Sequence, residues 1–250
     1  MTIVRYLAVF LTIIVTTSAR ADLKHIEQVD RSFIGILDVQ ARYGGYDEWV
    51  KAAWGSSDTE LEFELSEGWP FESNPRTLKA TQFGLLETSY EFPSILVYKR
   101  NDDLMQFNDW IQVKIDEELT WMRMKPGDVY QSHTSLFDEG RLSYLMTRDI
   151  ELSDLPGGES TSHNFKPADQ KAAENDFWTP EANVIGRAEI VHFDPETGRR
   201  STEHWLRIRI RNQSSCEGPT EDPENLAEGW IPARQNNNGE IAVWYYSRGC

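Results

Sequence analysis

The chain of 250 residues has few cysteines, few basic side chains and no long hydrophobic run beyond its first 15 residues. Its only cysteines are Cys216 and Cys250, which excludes the zinc sites that are built from three or four cysteines. The 41 acidic side chains outnumber the 25 basic ones and give a net charge of −16. This charge argues against binding to nucleic acid or to anionic lipid, because both need a basic surface.

The residues that are present indicate a folded protein. Hydrophobic residues make up 39% of the chain and aromatic residues 12%, which is too apolar for a disordered chain. The length suits one large domain or two small ones.

The first 21 residues predict a secretory signal peptide. Arg5 precedes about ten apolar residues, and Ala19-Arg20-Ala21 forms a small-residue cleavage site, so cleavage is expected between Ala21 and Asp22. The alternative, a buried N-terminal strand, leaves that site unexplained. The apolar stretch is shorter than the roughly 20 residues that span a bilayer, and no later stretch approaches that length. We therefore expect a periplasmic or secreted mature chain without a transmembrane segment; removing Arg5 and Arg20 brings its net charge to −18.

The two cysteines predict a disulfide bond in such a compartment, since only one pairing, Cys216 with Cys250, is possible. Closing about 34 residues would stabilise the fold by roughly 3.5–4 kcal/mol in the loop-closure model. Two free thiols or a metal-binding pair are the alternatives, and no C-x-x-C or H-x-x-x-H motif lies nearby to support a metal.

Short segments typical of β-strands dominate the chain. Residues Glu60–Glu67 alternate strictly, with Leu61, Phe63 and Leu65 on one face and Glu60, Glu62 and Glu64 on the other. Further strands are predicted at 94–98, 110–115, 189–193, 205–210 and 241–246. Asp194-Pro-Glu-Thr-Gly198 has the residues of a turn and predicts a hairpin.

Helical patterns are few. Tyr46, Trp49, Val50, Ala53 and Trp54 recur at helical spacing, and Leu142, Leu145 and Met146 do so more weakly. From Ser153 the chain is small and polar, which favours a linker over 153–180. A second polar stretch, from Ser214 to Glu228, is expected to form an exposed acidic loop.

Two stretches resemble each other. Asp109-Trp-Ile-Gln-Val-Lys-Ile115 is followed by Trp121-Met-Arg-Met124, and His204-Trp-Leu-Arg-Ile-Arg-Ile210 is followed by Gly229-Trp-Ile-Pro-Ala233. We interpret each as a hairpin whose tryptophans cap a small barrel core, used twice. Chance recurrence among nine tryptophans is the alternative.

These hairpins resemble bacterial Src-homology-3-like domains, in which a Trp-led strand precedes a Gly-Trp-Val-type strand. The resemblance covers about 85–150 and 183–250, and the ending Val243-Trp-Tyr-Tyr-Ser-Arg-Gly-Cys250 is similar to that of exported proteobacterial proteins. It implies a mainly β fold with two small barrels at 85–152 and 181–250, and a β-rich N-terminal extension at 22–84. Bacterial relatives are often envelope-targeting modules attached to wall hydrolases.

No catalytic motif is found, so we predict no catalytic residue and no cofactor. The G-x-S-x-G, H-E-x-x-H, G-x-G-x-x-G and phosphate-loop patterns are all missing. His192 and His204, with Asp194 and Glu203 nearby, leave a metal site open as an alternative, but strand alternation does not place them on one face. Surface histidines are the simpler interpretation, and we predict no metal.

Two functional hypotheses follow. We favour a non-enzymatic binding or adaptor protein of the cell envelope that recognises peptide, protein or cell-wall material through an aromatic groove. The resemblance implies Tyr90 and Trp121 as ligand contacts, although both could instead pack in a core. A peptide or protein partner fits best, because the net charge would repel anionic wall polymers.

The alternative is an exported hydrolase that cleaves glycan or wall material with Glu60, Glu62 and Glu64, near Trp54 and Trp69. Three alternating glutamates are also the ordinary solvent-facing side of a strand.

Overall fold

A computed structural model describes residues 30–68, 71–89, 91–101, 109–137, 143–146, 149–165, 181–196, 198, 200–212, 224–235 and 239–245. The prediction of a mainly β protein is confirmed: one α-helix and seventeen strands are present in these residues. In the first half the elements are β1 (Gly35–Asp38), α1 (Tyr46–Ala53), β2 (Glu60–Ser66), β3 (Asn74–Lys79), β4 (Leu85–Ser89), β5 (Phe92–Arg100), β6 (Trp110–Ile115), β7 (Glu118–Arg123) and β8 (Val129–Ser132).

The second half is almost entirely extended. Its strands are β9 (Ser143–Leu145), β10 (Asp149–Ser153), β11 (Ser160–Asn164), β12 (Glu181–Phe193), β13 (Arg200–Arg211), β14 (Asn225–Pro232), β15 (Arg234–Gln235), β16 (Glu240–Ile241) and β17 (Val243–Tyr245). Three short 3-10 turns lie at Gln40–Tyr43, Ala80–Gln82 and His133–Phe137.

An eight-stranded antiparallel sheet occupies the first half, in the order β3-β2-β7-β6-β5-β1-β8 with β4 paired to β5. The alternation predicted for β2 is confirmed, since Phe63 and Leu65 are buried while Glu60 and Glu62 are exposed. This buried face forms part of the first hydrophobic core, whose buried residues all lie between Leu37 and Met122.

The helix packs on this first core, as its spacing predicts. Trp49, Ala52 and Ala53 are at most 2% exposed. Asp47 and Glu48 lie in the first turn, where the positive end of the helix dipole attracts carboxylates and so stabilises the helix. The indole N–H of Trp49 donates to the Pro93 carbonyl at 2.8 Å, which fixes the helix against β5.

A seven-stranded antiparallel sheet forms the second half, in the order β11-β10-β14-β13-β12-β9-β17. Leu206, Ile208, Ile210 and Ile231 project from one face into the second hydrophobic core. Phe33, Ile36, Leu86 and Leu96 of the first half complete that core. The two halves therefore share a buried interface.

Neither sheet closes into a barrel within the described residues, because each strand order has two free ends. Ser160–Asn164, inside the predicted linker, forms strand β11 paired with β10. The weak helical pattern near Leu145 is wrong, since Ser143–Leu145 is a strand. Strands from both sides of residue 85 share the first sheet. The division into separate domains stays a prediction.

Both predicted Trp hairpins exist, and they have the same register. Trp110 pairs with Arg123 and Gln112 with Trp121; likewise Trp205 pairs with Pro232 and Arg207 with Trp230. Trp110 and Trp205 are buried, at 4% and 7% exposed, but neither belongs to the two core clusters, so the expectation that the tryptophans cap a core stays a prediction. Side chains alternate between the two faces of a strand. Ile111 and Ile231, each next to a tryptophan, face the cores, so the tryptophans lie on the opposite face.

Candidate functional site

The β12–β13 hairpin is longer than predicted and forms one wall of a cleft. Its turn forms as expected: Gly198 has a positive φ of 69°, and its N–H donates to the Asp194 carbonyl at 2.8 Å. The Asp194 carboxylate accepts from the N–H of Glu196 at 2.9 Å. Strand β12 has thirteen residues and β13 has twelve. Because the strands are this long, the residues near their turn lie across the cleft from the first sheet.

The hairpin cleft has a volume of about 480 Å³ and lies between this hairpin, β8 with the following turn, and β15. Hydroxyl, imidazole and charged side chains contribute much of its lining, among them Ser132, His133, Thr134, Thr202, Glu203 and Arg234. This volume is in the ordinary range of ligand sites.

A side cleft of about 560 Å³ adjoins the first. It is lined by the β10–β11 hairpin, including Glu151 and His163, and by Glu203, Pro232 and Arg234, which also line the hairpin cleft. Because three residues are shared, the two clefts adjoin, and we refer to them together as the groove. All four described histidines, His133, His163, His192 and His204, line the groove.

His133 follows β8 directly and is only 3% exposed. Its ring stacks on Trp244 at 5.8 Å between centroids and meets Phe33 and Phe137 edge to face. Burial lowers the pKa of His133 to about 4, against the hydrogen bond to Val243 and with help from the charges of Arg234 and His204. The ring is therefore neutral at neutral pH.

The proton on the neutral ring can be assigned from its partner. Nε2 lies 3.1 Å from the carbonyl oxygen of Val243. A carbonyl only accepts, so Nε2 carries the hydrogen and Nδ1 carries the lone pair. Nδ1 is buried and has no hydrogen-bond partner in the described part of the chain.

Arg234 lies at the junction of the two clefts. Its Nη2 donates to the carbonyls of Ser32, at 2.6 Å, and Phe33. Burial lowers the pKa of Arg234 against the opposing influence of Tyr130 and Asp30, yet a guanidinium stays charged. Among the described residues Arg234 forms no ion pair with a carboxylate.

Tyr130 supports this side of the cleft through a close approach to Gly35. A Cβ at Gly35 would lie 2.3 Å from the Gln131 carbonyl oxygen and 2.7 Å from the Tyr130 ring. Only glycine fits there. The Arg100 guanidinium lies over the Tyr130 ring, 5.2 Å from the ring centroid.

The alternative of a metal site at His192 and His204 is not supported by the described residues. The register pairs His192 with Ser201 and His204 with Glu189, which places the two histidines on opposite faces of the hairpin. His192 lies 3.3 Å from Glu203, and His204 lies 3.3 Å from Glu189. No group of three or more potential metal ligands converges within the described residues.

Trp121 lies outside the groove, half-buried on β7. Phe71 meets its ring edge to face at 5.0 Å and stacks on Trp110 at 4.9 Å. The Lys99 ammonium lies 5.9 Å from the Trp121 ring centroid. Tyr90, the other predicted contact, falls outside the described residues, so the pair cannot be joined into a site.

The three glutamates of the hydrolase alternative lie on one face of β2, next to a cation. Glu64 pairs with Arg123 at 3.2 Å, and Glu60 and Glu62 are exposed. Trp54 is half-buried near the end of α1, while Trp69 falls outside the described residues. The arrangement is that of a solvated strand face.

Four further predicted residues also fall outside the described part: Cys216 and Cys250 of the disulfide, and Ala21 and Asp22 of the cleavage site. The α-helix of the described residues has eight residues, and no described helix is long and apolar enough to cross a membrane.

Sequence reasoning missed His133 and Arg234. His133 stands in the polar run Ser132-His-Thr-Ser135 and Arg234 in Ala233-Arg-Gln235, and neither has a motif partner at short spacing. They line the same cleft only because the second sheet packs on the first.

Comparisons with known proteins add no relative. No protein-family model, no curated protein and no solved structure matches the chain significantly.

Proposed function

We propose that this chain is a non-enzymatic binding or adaptor protein of the bacterial cell envelope, which holds a peptide segment of an envelope partner in the groove. The observation that carries the proposal is the groove itself, two adjoining clefts that share Glu203, Pro232 and Arg234. The expected signal peptide, cleaved after Ala21, would deliver the chain to the periplasm or the exterior.

The chemistry of the lining favours a peptide. Hydroxyls of Ser132, Thr134 and Thr202 both donate and accept, Arg234 donates, and Glu203 accepts. A peptide backbone offers a donor and an acceptor at nearly every residue, so it can satisfy such a lining. A polyanionic wall polymer is disfavoured by the net charge of −16.

A Src-homology-3-like origin is part of the proposal. The common register of the two Trp hairpins supports it, because a duplicated unit would keep its strand pairing. The open strand orders mean that any barrel would be incomplete within the described residues.

Retention of mature protein on isolated envelope fractions, with mass spectrometry of the bound material, tests the proposal. Thr202→Arg places a large side chain at the hairpin cleft and should abolish retention. Thr161→Arg is the matched control: Thr161 is also an exposed strand threonine and is outside both cleft linings. Equal retention of both variants would overturn groove binding.

The same assay separates the remaining alternatives. If the partner binds the aromatic face instead, Trp121→Ala should weaken retention while Thr202→Arg does not. If the protein is a hydrolase, Glu62→Gln should abolish turnover of wall fragments. The groove proposal expects Glu62→Gln to leave retention unchanged, since Glu62 is exposed on β2 and does not line the groove.

A further inference from the structure

We propose that two copies of this chain associate through strand β12, which pairs antiparallel with β12 of the second copy around a two-fold axis at Ala188. The inference does not depend on what the groove binds. It is carried by a long strand edge that has no partner strand over most of its length, and by charges on that strand that are complementary to themselves in one register.

Strand β12 has an open edge. On one side it pairs with β13 from Glu181 to Phe193. On the other side, among the described residues, its only pairing is between Glu181 and Tyr144 of β9. An edge of this length is a template on which another extended strand can pair.

The backbone groups at the open edge can be assigned from the neighbouring strands. The Ala233 N–H donates to the His204 carbonyl at 2.8 Å, so the backbone of His204 points to the β14 side. In an antiparallel pair, the backbone groups of opposite residues point either toward each other or apart. Glu189, which lies opposite His204, therefore directs its N–H and carbonyl to the open edge. Alternate residues along the strand share this direction: Arg187, Val191 and Phe193.

The charges of β12 select a single register. With the axis at Ala188, Arg187 of each copy lies opposite Glu189 of the other, and both side chains are exposed. Two ion pairs and the backbone hydrogen bonds of both residue pairs then form around the axis. An axis at Arg187 or at Glu189 would instead place like charges directly opposite each other, which is destabilising.

Exposed apolar side chains extend the same surface. Val191 and Phe193 follow Glu189 on one face of the strand and are 59% and 61% exposed. In the proposed register Val191 reaches Ile185 of the other copy, which is 40% exposed and lies at the β-bulge that ends the regular stretch. Association would remove these side chains from water.

Contacts within one chain are compatible with the ion pairs between copies. Arg187 Nη1 donates to the Thr134 carbonyl at 3.4 Å, and Glu189 lies 3.3 Å from His204. A guanidinium has five N–H donors and a carboxylate has two oxygens, so each group can also bind its partner in the second copy.

Sedimentation equilibrium of the full mature chain, from about 1 to 200 µM, tests the inference, and we expect a monomer–dimer equilibrium within this range. The buffer contains 0.15 M NaCl, where the Debye length is about 8 Å. The repulsion between two chains of net charge −18 is then largely screened, whereas charges in contact across the strands are not.

Charge variants test the register. Glu189→Arg places arginines opposite each other twice and should weaken association about tenfold, although it reduces the repulsion between the net charges. Arg187→Glu should weaken association similarly. The double variant Arg187→Glu with Glu189→Arg restores opposite charges and should associate within about threefold of the wild type.

Glu62→Arg is the matched control. Glu62 is also an exposed strand glutamate, and its replacement changes the net charge equally, but it lies on β2. This variant should associate at least as tightly as the wild type.

A cysteine on the axis tests the geometry directly. The backbone of Ala188 points to β13, so Ala188 would face its copy as a non-hydrogen-bonded pair with the Cα atoms about 4.5 Å apart, which a disulfide can bridge. Oxidation of Ala188→Cys should therefore give a covalent dimer on non-reducing gels, in excess of the wild type. Ile190→Cys is the control, because its Cα atoms would lie roughly 14 Å apart in this register.

Each result decides the inference. A wild-type chain that stays monomeric at every concentration would overturn it without the need for any variant to fold. A dimer that Glu189→Arg leaves intact, a double variant that fails to recover association, or equal cross-linking at positions 188 and 190 would also overturn it.

Discussion

The two hydrophobic cores differ in where their residues come from. The first core is complete within the first half of the chain, from Leu37 to Met122. The second core needs Phe33, Ile36, Leu86 and Leu96 from that half in addition to its own residues. The first half can therefore bury its core unaided, whereas the second half depends on the first.

Strands β1 and β5 create this dependence because both of their faces are buried. Ile36 and Leu96 face the second core, while their neighbours Leu37 and Val97 face the first. All four are at most 3% exposed. A strand that is covered on both sides stabilises two cores at once.

The largest expected effect lies at an ion pair beside the first core, where the Arg42 guanidinium covers the Phe63 ring. Arg42 Nε donates to Asp128 at 2.7 Å, and their side chains are only 7% and 0% exposed. Arg42→Met should lower the free energy of unfolding by about 3–5 kcal/mol, because Asp128 would keep a buried charge without its partner. Urea denaturation measures this. Arg42→Met combined with Asp128→Asn should recover part of the loss; a double variant as unstable as the single one would contradict the explanation.

A matched pair of leucines tests whether the cores are coupled in the way described. Leu37→Ala and Leu96→Ala should each cost about 2–5 kcal/mol, since both side chains are buried. Hydrogen exchange should separate them: Leu37→Ala speeds exchange in β2 and β6, and Leu96→Ala speeds it in β13 and β17. Unchanged exchange in the second sheet after Leu96→Ala would contradict the dependence of the second core on the first half of the chain.

Local patterns in the sequence were sufficient for individual elements. The strict alternation of β2, the turn at Asp194–Gly198 and the helical spacing around Trp49 were each predicted and confirmed. Strand β11 was missed because Ser160-Thr-Ser-His-Asn164 has no hydrophobic face, as an edge strand paired on one side does not require one.

The candidate site could not be predicted in the same way, because it depends on packing between distant segments. His133 reaches Val243 across 110 residues, and Arg234 reaches Phe33 across 201. The period of a strand specifies which face a side chain occupies but not which sheet covers that face. The tryptophans illustrate the point: the alternation of the strands shows that they lie on the opposite face from the core isoleucines, but not what buries Trp110 and Trp205 there.

The pH dependence of stability reports on His133 in the second core. Its pKa is lowered from 6.5 to about 4 by burial. Between these values the unfolded chain takes up a proton that the folded chain refuses, so the free energy of unfolding falls as the pH falls through this window. The loss should reach about 3 kcal/mol near pH 4 and then stop growing.

His133→Gln provides the control, since glutamine can donate to Val243 and does not titrate. Urea denaturation from pH 7 to pH 4 should show a shallower loss of stability for this variant than for the wild type. Equal slopes would mean that His133 is accessible to protons in the folded state, and that the second core is less closed than the first.

The smallest expected effect concerns a single hydrogen bond between the halves. The Tyr245 hydroxyl donates to the Thr88 carbonyl at 2.9 Å, in a buried contact that joins β17 of the second sheet to β4 of the first. Tyr245→Phe should cost about 1 kcal/mol in urea denaturation, the usual net contribution of such a bond. Tyr46→Phe is the matched control: Tyr46 is 45% exposed, and its loss of a hydroxyl should change stability by less than about 0.5 kcal/mol. A similar small change in both variants would mean that this hydrogen bond adds nothing to the attachment of the second core to the first. A larger loss at Tyr245 would mean that the dependence of the second half on the first also has a polar part.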